Sequence, residues 1–351
     1  MINAAVAGLG WWGRQIVLSL SGSPDIRVVR AVEPAVAANA EFARGHGLAI
    51  SPTLEDALAD PGVDAVILCT PQDLHTGQVV LAAGAGKHVF CEKPLAMSRA
   101  DAERSVAACR AAGVVLGVGH ERRQEPAMRR LRELVRAGTL GTLLHGEANF
   151  SHDKLTHIKP GDWRADPRNP AAMTGMGIHL TDAFLDLFGP ATEVYAAAAR
   201  IVSDRPNGDI VSVQMRFASG ATAFASAILE TPLYIGLRVF GSAGWAEIRN
   251  ESHPDTPGPA RLTVRPKGGE AWSEDFPWEN AVLLNLAAFA RAVRGEAPYP
   301  IGDAEKIGNV AVLEAVRESV AHGVPVRLAP ALVTDGAFAG GAEASGTEQH
   351  A

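Results

Sequence analysis

The chain has 351 residues, 47% hydrophobic and 20% charged, which is the composition of a soluble globular protein with room for two domains. A formal charge of −7 argues against a broad nucleic-acid or anionic-membrane surface, and no stretch reaches the roughly 18 apolar residues of a membrane span. The opening INAAVAGLG runs directly into a glycine motif, so no cleavable leader is expected, and Cys69, Cys91 and Cys109 read as reduced structural thiols of a cytoplasmic protein.

Short apolar runs alternate with helical stretches up to about residue 120. AAVAGLG, RVVRAVE, VDAVILCT, KHVFCE and VVLGVG read as strands, while GRQIVLSLSG, TLEDALAD, LHTGQVVLAAG and SRADAERSVAACRAAG have helical spacing. Thr53 with Asp56 and Ser98 with Asp101 are helix-start signals, and Gly113 sits where a helix stops. Near-continuous apolar strands between helices predict a doubly wound parallel sheet covered on both faces. EPAMRRLRELVRAGTLG then predicts a helix ended by Gly138 or Gly141, followed by a polar loop and a second helix, HLTDAFLDLFG. From residue 193 to about 266 the pattern is that of a strand meander. Val211, Val213, Met215 and Phe217 alternate with polar residues, SG makes a hairpin turn, and LRVFGSAGWAEIR repeats the pattern with a longer loop. Helices over 281–294 and 303–322 follow, and residues 331–351 read as a disordered tail.

GLGWWG supplies Gly8, Gly10 and Gly13 in the order G-x-G-x-x-G, after a strand and before a helix. Gly8 makes the tight turn, Gly10 admits a pyrophosphate close to the backbone, and Gly13 lets helix and strand pack closely. The helix N-terminus offers free N–H groups to that pyrophosphate. Glu33, ending the next strand, is placed to accept hydrogen bonds from ribose hydroxyls. A carboxylate there repels a 2′-phosphate, and EPAVAAN has no arginine to bind one, which favours NAD over NADP. HVFCEKPLAM ends a strand on Glu92-Lys93-Pro94, and Thr70-Pro71, followed by His75, ends a neighbouring strand on the same edge. Ligands of such sheets sit beyond the strand C-termini, so Lys93 faces the site, where desolvation suits it to general acid–base work.

GLGWWG, CTPQDLH, AAGAGKHVFCEKPLA and GHERRQEPAMRRLRELVRAGTLG together resemble the Gfo/Idh/MocA family of glucose–fructose oxidoreductase, inositol dehydrogenase and their relatives, in order and spacing, to about residue 328. The resemblance implies an NAD(P)-binding Rossmann domain over 1–121. It places Gly8, Leu9, Gly10, Trp11, Trp12, Gly13, Glu33, Thr70, Pro71, His75, Glu92 and Lys93 about the cofactor. It also implies an α/β domain over 122–330 for substrate binding and oligomerisation, with an open, mostly antiparallel sheet that builds dimers or tetramers. Lys93 would bind substrate and relay the proton, with the Lys93–Pro94 peptide often cis, and His179 in MTGMGIHLTD would be the second catalytic residue. Many relatives have an aspartate one helical turn before that histidine. This chain has Gly175 there, which puts the usual relay in question, and Asp182, three residues after the histidine, is not an assured substitute.

Arg122 and Arg123 resemble the family's arginine pair, and Trp163-Arg164 its WR element, which adds these four to Lys93 and His179 as substrate-binding residues. His152, Lys154, His157, Lys159 and Arg168 lie in the same polar loop, whose cations point to an acidic group on the substrate, such as a sugar acid. A metal centre from His152, His157 and His179 is not expected, because no pair has the spacing of one helix face. The expected activity is NAD-dependent hydride transfer between the nicotinamide and a secondary alcohol of a sugar, polyol or related cyclic substrate. The alternatives are a redox-neutral lyase, hydrolase or epimerase using transient hydride transfer, and a non-catalytic NAD-binding regulator. The expected partner is a small molecule, with no nucleic acid or membrane, in a homo-oligomer formed through the C-terminal sheet.

Overall fold

Six parallel strands make the first sheet: β1 (Ile2–Ala7), β2 (Ile26–Val32), β3 (Ala49–Ser51), β4 (Ala65–Leu68), β5 (His88–Cys91) and β6 (Leu116–Val118). The computed structural model describes residues 1–329 apart from 157, 159, 160 and 171, with Trp163 described by its backbone alone, so the tail expected over 331–351 lies outside the described residues. Their order is β3-β2-β1-β4-β5-β6, and the direction of winding reverses between β1 and β4, opening a crevice beyond the strand C-termini. Between the strands run α1 (Trp11–Ser19), α2 (Val36–Gly45), α3 (Leu54–Leu58), α4 (His75–Gly84) and α5 (Arg99–Ala111). Alternate side chains of β1 serve two cores: Ala5 and Ala7 meet α3, α4 and α5, while Ala4 and Val6 meet α1 and α2.

The helix signals act as read from the sequence. Thr53 Oγ1 accepts the Asp56 N–H at 3.3 Å, Ser98 Oγ accepts the Asp101 N–H at 3.2 Å, and Gly113 adopts φ 67° just past α5. The helix α2 and strand β3 escape sequence reading. α2 has no side-chain cap and buries only Asn39 and Ala43, and β3 is three residues long.

The second sheet contains β7 (Leu143–Ser151), β8 (Ala191–Ala199), β9 (Ile210–Phe217), β10 (Thr222–Ile228), β11 (Tyr234–Gly241), β12 (Gly244–Asn250), β13 (Ala260–Pro266), β14 (Trp272–Phe276) and β15 (Val326–Arg327). Their order is β14-β13-β12-β11-β7-β10-β9-β8-β15, antiparallel throughout except for β7 beside β10. The expected simple meander is therefore interrupted. β7, from before the polar loop, sits in the middle of the sheet, between β10 and β11. The loop between β11 and β12 is shorter than expected, a turn of Ser242 and Ala243 alone. The alternation in β9 holds, with Val211, Val213, Met215 and Phe217 buried.

The inner face of this sheet is covered by α6 (Pro126–Arg136), α7 (Ile178–Phe188) and α9 (Asp303–His322). α8 (Ala281–Val293) instead returns to the first sheet, where Leu286, Phe289 and Ala290 join the core under β1. Here Asn285 Nδ2 and the Tyr299 hydroxyl both donate to the Val118 carbonyl, at 2.9 and 2.8 Å, closing the free edge of β6. α9 is shared: Ile307 and Val310 pack in the first core, Val312, Leu313 and Val316 in the second. A division at 121/122 thus follows the chain, while the packing assigns α8 to the first body.

Candidate active site

The glycine turn has three different constraints. At φ 90°, a Cβ on Gly8 would lie 2.7 Å from the Cys69 carbonyl oxygen, and one on Gly13 would lie 1.8 Å from the Gly8 carbonyl oxygen. A Cβ on Gly10 meets nothing within 4 Å, so the space beside that residue is open. Gly10 begins α1 without any side-chain cap, leaving backbone N–H groups for an anion. Glu33, one residue past β2, accepts the Leu9 N–H at 2.9 Å and the Ala35 N–H at 3.3 Å, which fixes its carboxylate over the turn. Trp11 is exposed at the mouth, and Trp12 tucks beneath with its indole nitrogen buried near the Glu92 carboxyl. A turn open only at Gly10, an uncapped helix start and a fixed carboxylate fit the pyrophosphate and ribose of a dinucleotide.

Sequence reasoning missed Arg14 here. Its guanidinium donates to the Leu9 carbonyl at 3.1 Å and to Asn39 at 2.8 Å, and lies 4.8 Å from the Phe42 ring centroid. These contacts brace the turn against α2, an element that was itself not foreseen.

Beyond β4 and β5, His75 acts as a tie. Its ring lies between the carbonyls of Thr70, at 3.0 Å, and Pro94, at 2.8 Å, so it joins two strand ends. Fully buried, it has no free nitrogen to offer the expected cofactor, and its place is behind the site. Pro71 leads into the short turn before α4, and Thr70 donates to Gln78 at 2.5 Å. The Lys93–Pro94 peptide is cis. Glu92 is buried against Gly119, where any Cβ would come within 2.5 Å of its Oε2. Its burial pushes its carboxyl above the usual range, against the pull of the nearby Trp12 indole and then of Lys93.

Lys93 is half-buried and reaches across to the second domain. Its Nζ donates to the carbonyls of Thr174, at 3.2 Å, and Gly175, at 3.0 Å, in the wide turn Met173–Gly177 that leads into α7. Burial lowers its pKa, while the carboxylates of Glu121 and Glu92 resist that fall. His179, in the first turn of α7, is buried, and its Nδ1 has no hydrogen-bond partner among the described residues. Burial holds it well below the usual histidine range, with Lys93 and Arg122 adding to the effect, so its imidazole is neutral. Arg122 faces the same space: it pairs with Glu125 at 2.7 Å and lies 4.9 Å from the Phe150 centroid, while the Phe150 ring is 6.2 Å from His179.

Glu121 is the second residue that sequence reasoning missed. It follows β6 at the same sheet edge, is buried, and places Oε1 3.8 Å from His179 Nε2. In the sequence it reads as one more charge in GHERRQ; only folding sets it beside a histidine from α7.

Several residues expected to contact substrate have partners within the protein. Arg123 is 3% exposed and donates two hydrogen bonds to Asp182, both at 2.8 Å, with Glu305 and Asp186 completing a buried ionic cluster. It ties the Rossmann edge to α7 and α9, its guanidinium engaged by carboxylates, although it borders the small cavity it shares with Arg122 and His179. Asp182 faces that cluster, so it does not stand in for a carboxylate at Gly175. Burial pushes Asp182 up, but Arg123 outweighs it and the net displacement is downward. In the polar loop Arg164 pairs with Asp162 at 3.0 Å and Lys154 with Asp255 at 2.8 Å, and Arg168 pairs with Asp166. Among the described residues, Lys154, Arg164 and Arg168 each have an acidic neighbour where they stand. His152 packs against His253, ring centroids 5.0 Å apart, while His157 and Lys159 lie outside the described residues. Trp163 opens a short turn, Trp163–Ala165. Among the described residues no three His, Cys, Asp or Glu side chains converge as metal ligands.

Residues 2–120 match the model of an oxidoreductase family with an NAD-binding Rossmann fold, and residues 128–247 match the Gfo/Idh/MocA C-terminal domain. The chain is 30% identical over 320 residues to the 1,5-anhydro-D-fructose reductase of Ensifer adhaerens, covering 88% of this chain and 93% of that protein. The chain belongs to the Gfo/Idh/MocA family. It is 27% identical to the NAD-dependent scyllo-inositol 2-dehydrogenase of Bacillus subtilis (strain 168), across 93% of this chain and 96% of that one. Its fold superposes on levoglucosan dehydrogenase, solved with NADH and levoglucosan, with a TM-score of 0.81 at 20% identity, covering 93% and 99% of the two chains. Membership makes the protein a sugar and polyol oxidoreductase by family, with an NAD(P)-binding Rossmann domain.

Proposed function

We propose that the protein is an NAD-dependent dehydrogenase that oxidises a secondary alcohol of a neutral sugar, polyol or related cyclic substrate. The meeting of Lys93 with the turn that carries His179, at the edge where the glycine turn opens, carries this reading. Gly8, Gly10, Gly13 and the start of α1 would hold the pyrophosphate, and Glu33 the ribose. Glu33 favours NAD, since a carboxylate fixed on Leu9 repels a 2′-phosphate. The nicotinamide, when bound, supplies the hydride acceptor. In the oxidising direction the neutral amine of Lys93 takes the hydroxyl proton as the carbon gives up its hydride and the carbonyl forms. Neutral His179 positions the hydroxyl, and Arg122 and Phe150 shape the wall beside it. The local pairing of Lys154, Arg164 and Arg168 supports a neutral substrate over a sugar acid.

The reductase, inositol dehydrogenase and levoglucosan dehydrogenase names of the relatives support anhydro sugars and inositols as the first panel. We propose further that the protein acts as a cytoplasmic homo-oligomer through the outer face of the second sheet, where Tyr195, Phe224 and Tyr234 are exposed. The testing experiment follows NADH absorbance with NAD, and separately NADP, across these sugars and their carboxylated analogues. Net NADH from a neutral sugar, lost in Lys93→Ala with NAD binding kept, is the expected result. Tight NAD binding with no net NADH, but with conversion of a sugar, would replace it with a redox-neutral reaction.

A further inference from the structure

We propose that Glu121 is the acid–base partner of Lys93 and His179, a positioning residue that sets the charge of the site in the absence of any carboxylate at Gly175. The consequence for turnover rests on the dehydrogenase reading above; the electrostatic pairing does not. Three observations place it. Glu121 is buried, and its Oε2 has no hydrogen-bond partner among the described residues, which is uncommon for a carboxylate oxygen out of water. Its Oε1 lies 3.8 Å from His179 Nε2, beyond hydrogen-bond length but close enough to fix the electrostatics of a neutral imidazole. Gly175 supplies only a backbone carbonyl to Lys93, and Asp182 is committed to Arg123. Of the acids near Lys93, Glu92 packs against Gly119 and accepts the Lys93 backbone N–H at 3.2 Å, which leaves Glu121 as the one that lies beside His179 and also acts electrostatically on Lys93.

The groups that face Glu121 are Glu92 and Lys93 from the end of β5, Arg122 in its own turn and His179 from α7. Burial and the Glu92 charge push its carboxyl up to about 8, while Lys93 pulls it down. Glu121 therefore changes charge near neutral pH. As a carboxylate it supports the ammonium of Lys93; as a carboxylic acid it leaves Lys93 free to exist as the amine. Protonation of the two groups is coupled, so the lysine receives a hydroxyl proton in a site whose compensating charge is already in place.

The test measures the rate at which acetic anhydride labels Lys93 as a function of pH, by peptide mass spectrometry of the full chain without cofactor. In Glu121→Gln the labelling midpoint is expected to fall by about 1–3 pH units, the usual effect of losing a nearby opposite charge. Glu121→Asp keeps the charge and is expected to stay near wild type. An unmoved midpoint in Glu121→Gln, or an equal fall in both variants, overturns the proposal, the second because it would make packing the cause. If Glu121→Gln does not fold, the wild-type curve decides: a coupled Lys93 titrates in two steps, and a single step overturns the pairing. Labelling needs no substrate. A shifted midpoint with no oxidation of any sugar would sink the dehydrogenase reading alone, and turnover with an unmoved midpoint would sink Glu121 alone.

Discussion

Arg123→Met separates a structural arginine from a substrate arginine. The substitution keeps most of the side-chain length and removes the guanidinium, leaving Asp182, 2% exposed, without its two 2.8 Å hydrogen bonds. Asp186 keeps Arg132 at 2.6 Å, and Glu305 keeps its bond to the Gly302 N–H at 2.8 Å, so the loss centres on Asp182. Removing one partner of a buried ion pair costs roughly 3–5 kcal/mol, because the other charge stays buried and uncompensated. For a chain of this length that is a fall in Tm on the order of 4–7 °C. The pH dependence fixes the cause. In the wild type the Asp182 carboxyl is displaced downward, so it contributes stability above its unfolded pKa, about 3.9, that is lost as pH falls through the folded value. Without Arg123, burial is opposed only by His120 and Arg132, and the folded pKa is expected to rise above the unfolded one. Stability is then full below the unfolded value and lost as pH rises through the folded one. The deficit is therefore expected to be widest near neutral pH and to narrow towards pH about 4. Thermal melts of both proteins across that range, with NADH binding followed by fluorescence, make the measurement. An unchanged Tm at neutral pH together with a raised substrate KM would refute the reasoning and return Arg123 to the substrate wall.

The glycine turn predicts opposite phenotypes for two similar changes. Gly13→Ala puts a methyl 1.8 Å from the Gly8 carbonyl oxygen and is expected to cost at least about 3 kcal/mol in a denaturant melt, whereas Gly10→Ala meets no protein atom within 4 Å and should melt as wild type while losing NADH affinity. Glu33→Ser is expected to raise the ratio of NADP to NAD efficiency by about tenfold or more, equivalent to roughly 1.4 kcal/mol, measured as kcat/KM for each nucleotide. Ser98→Ala removes the bond to the Asp101 N–H and should cost about 1 kcal/mol, read from the same melts.

What was legible in the sequence was local. Strand runs, the Thr53 and Ser98 caps, the glycine spacing and the alternation in β9 each depend on neighbours within a few residues, and each appears in the fold as read. β7 was missed although HGEANFS alternates polar residues with the buried Gly146, Ala148 and Phe150; its inward residues are mostly small, and its place is fixed by β10 and β11 on either side. The fate of charged residues was the least legible. Arg122 and Arg123 are adjacent, yet one faces the site and the other the interior, because Asp182 and Glu305 lie far along the chain. Glu121 was overlooked for the same reason, and the loop cations were counted without their aspartates. Lys93 and His179 could be paired beforehand only through the family resemblance.

The closing of the β6 edge by Asn285 and Tyr299 bears on how the protein is made. Val118 exchanges two hydrogen bonds with Tyr299, and Gly117 lies flush with Phe289, where even a methyl would come within 2.9 Å of the ring. A ribosome that has released the whole nucleotide-binding sequence has still not released these groups. Until they emerge, the sheet presents an unpaired strand and a bare apolar flank, the features that invite edge-to-edge association. A fragment cut at the sequence boundary inherits that surface permanently. Dissecting or swapping the domains therefore requires carrying the segment from Ala281 to Tyr299 with the N-terminal half.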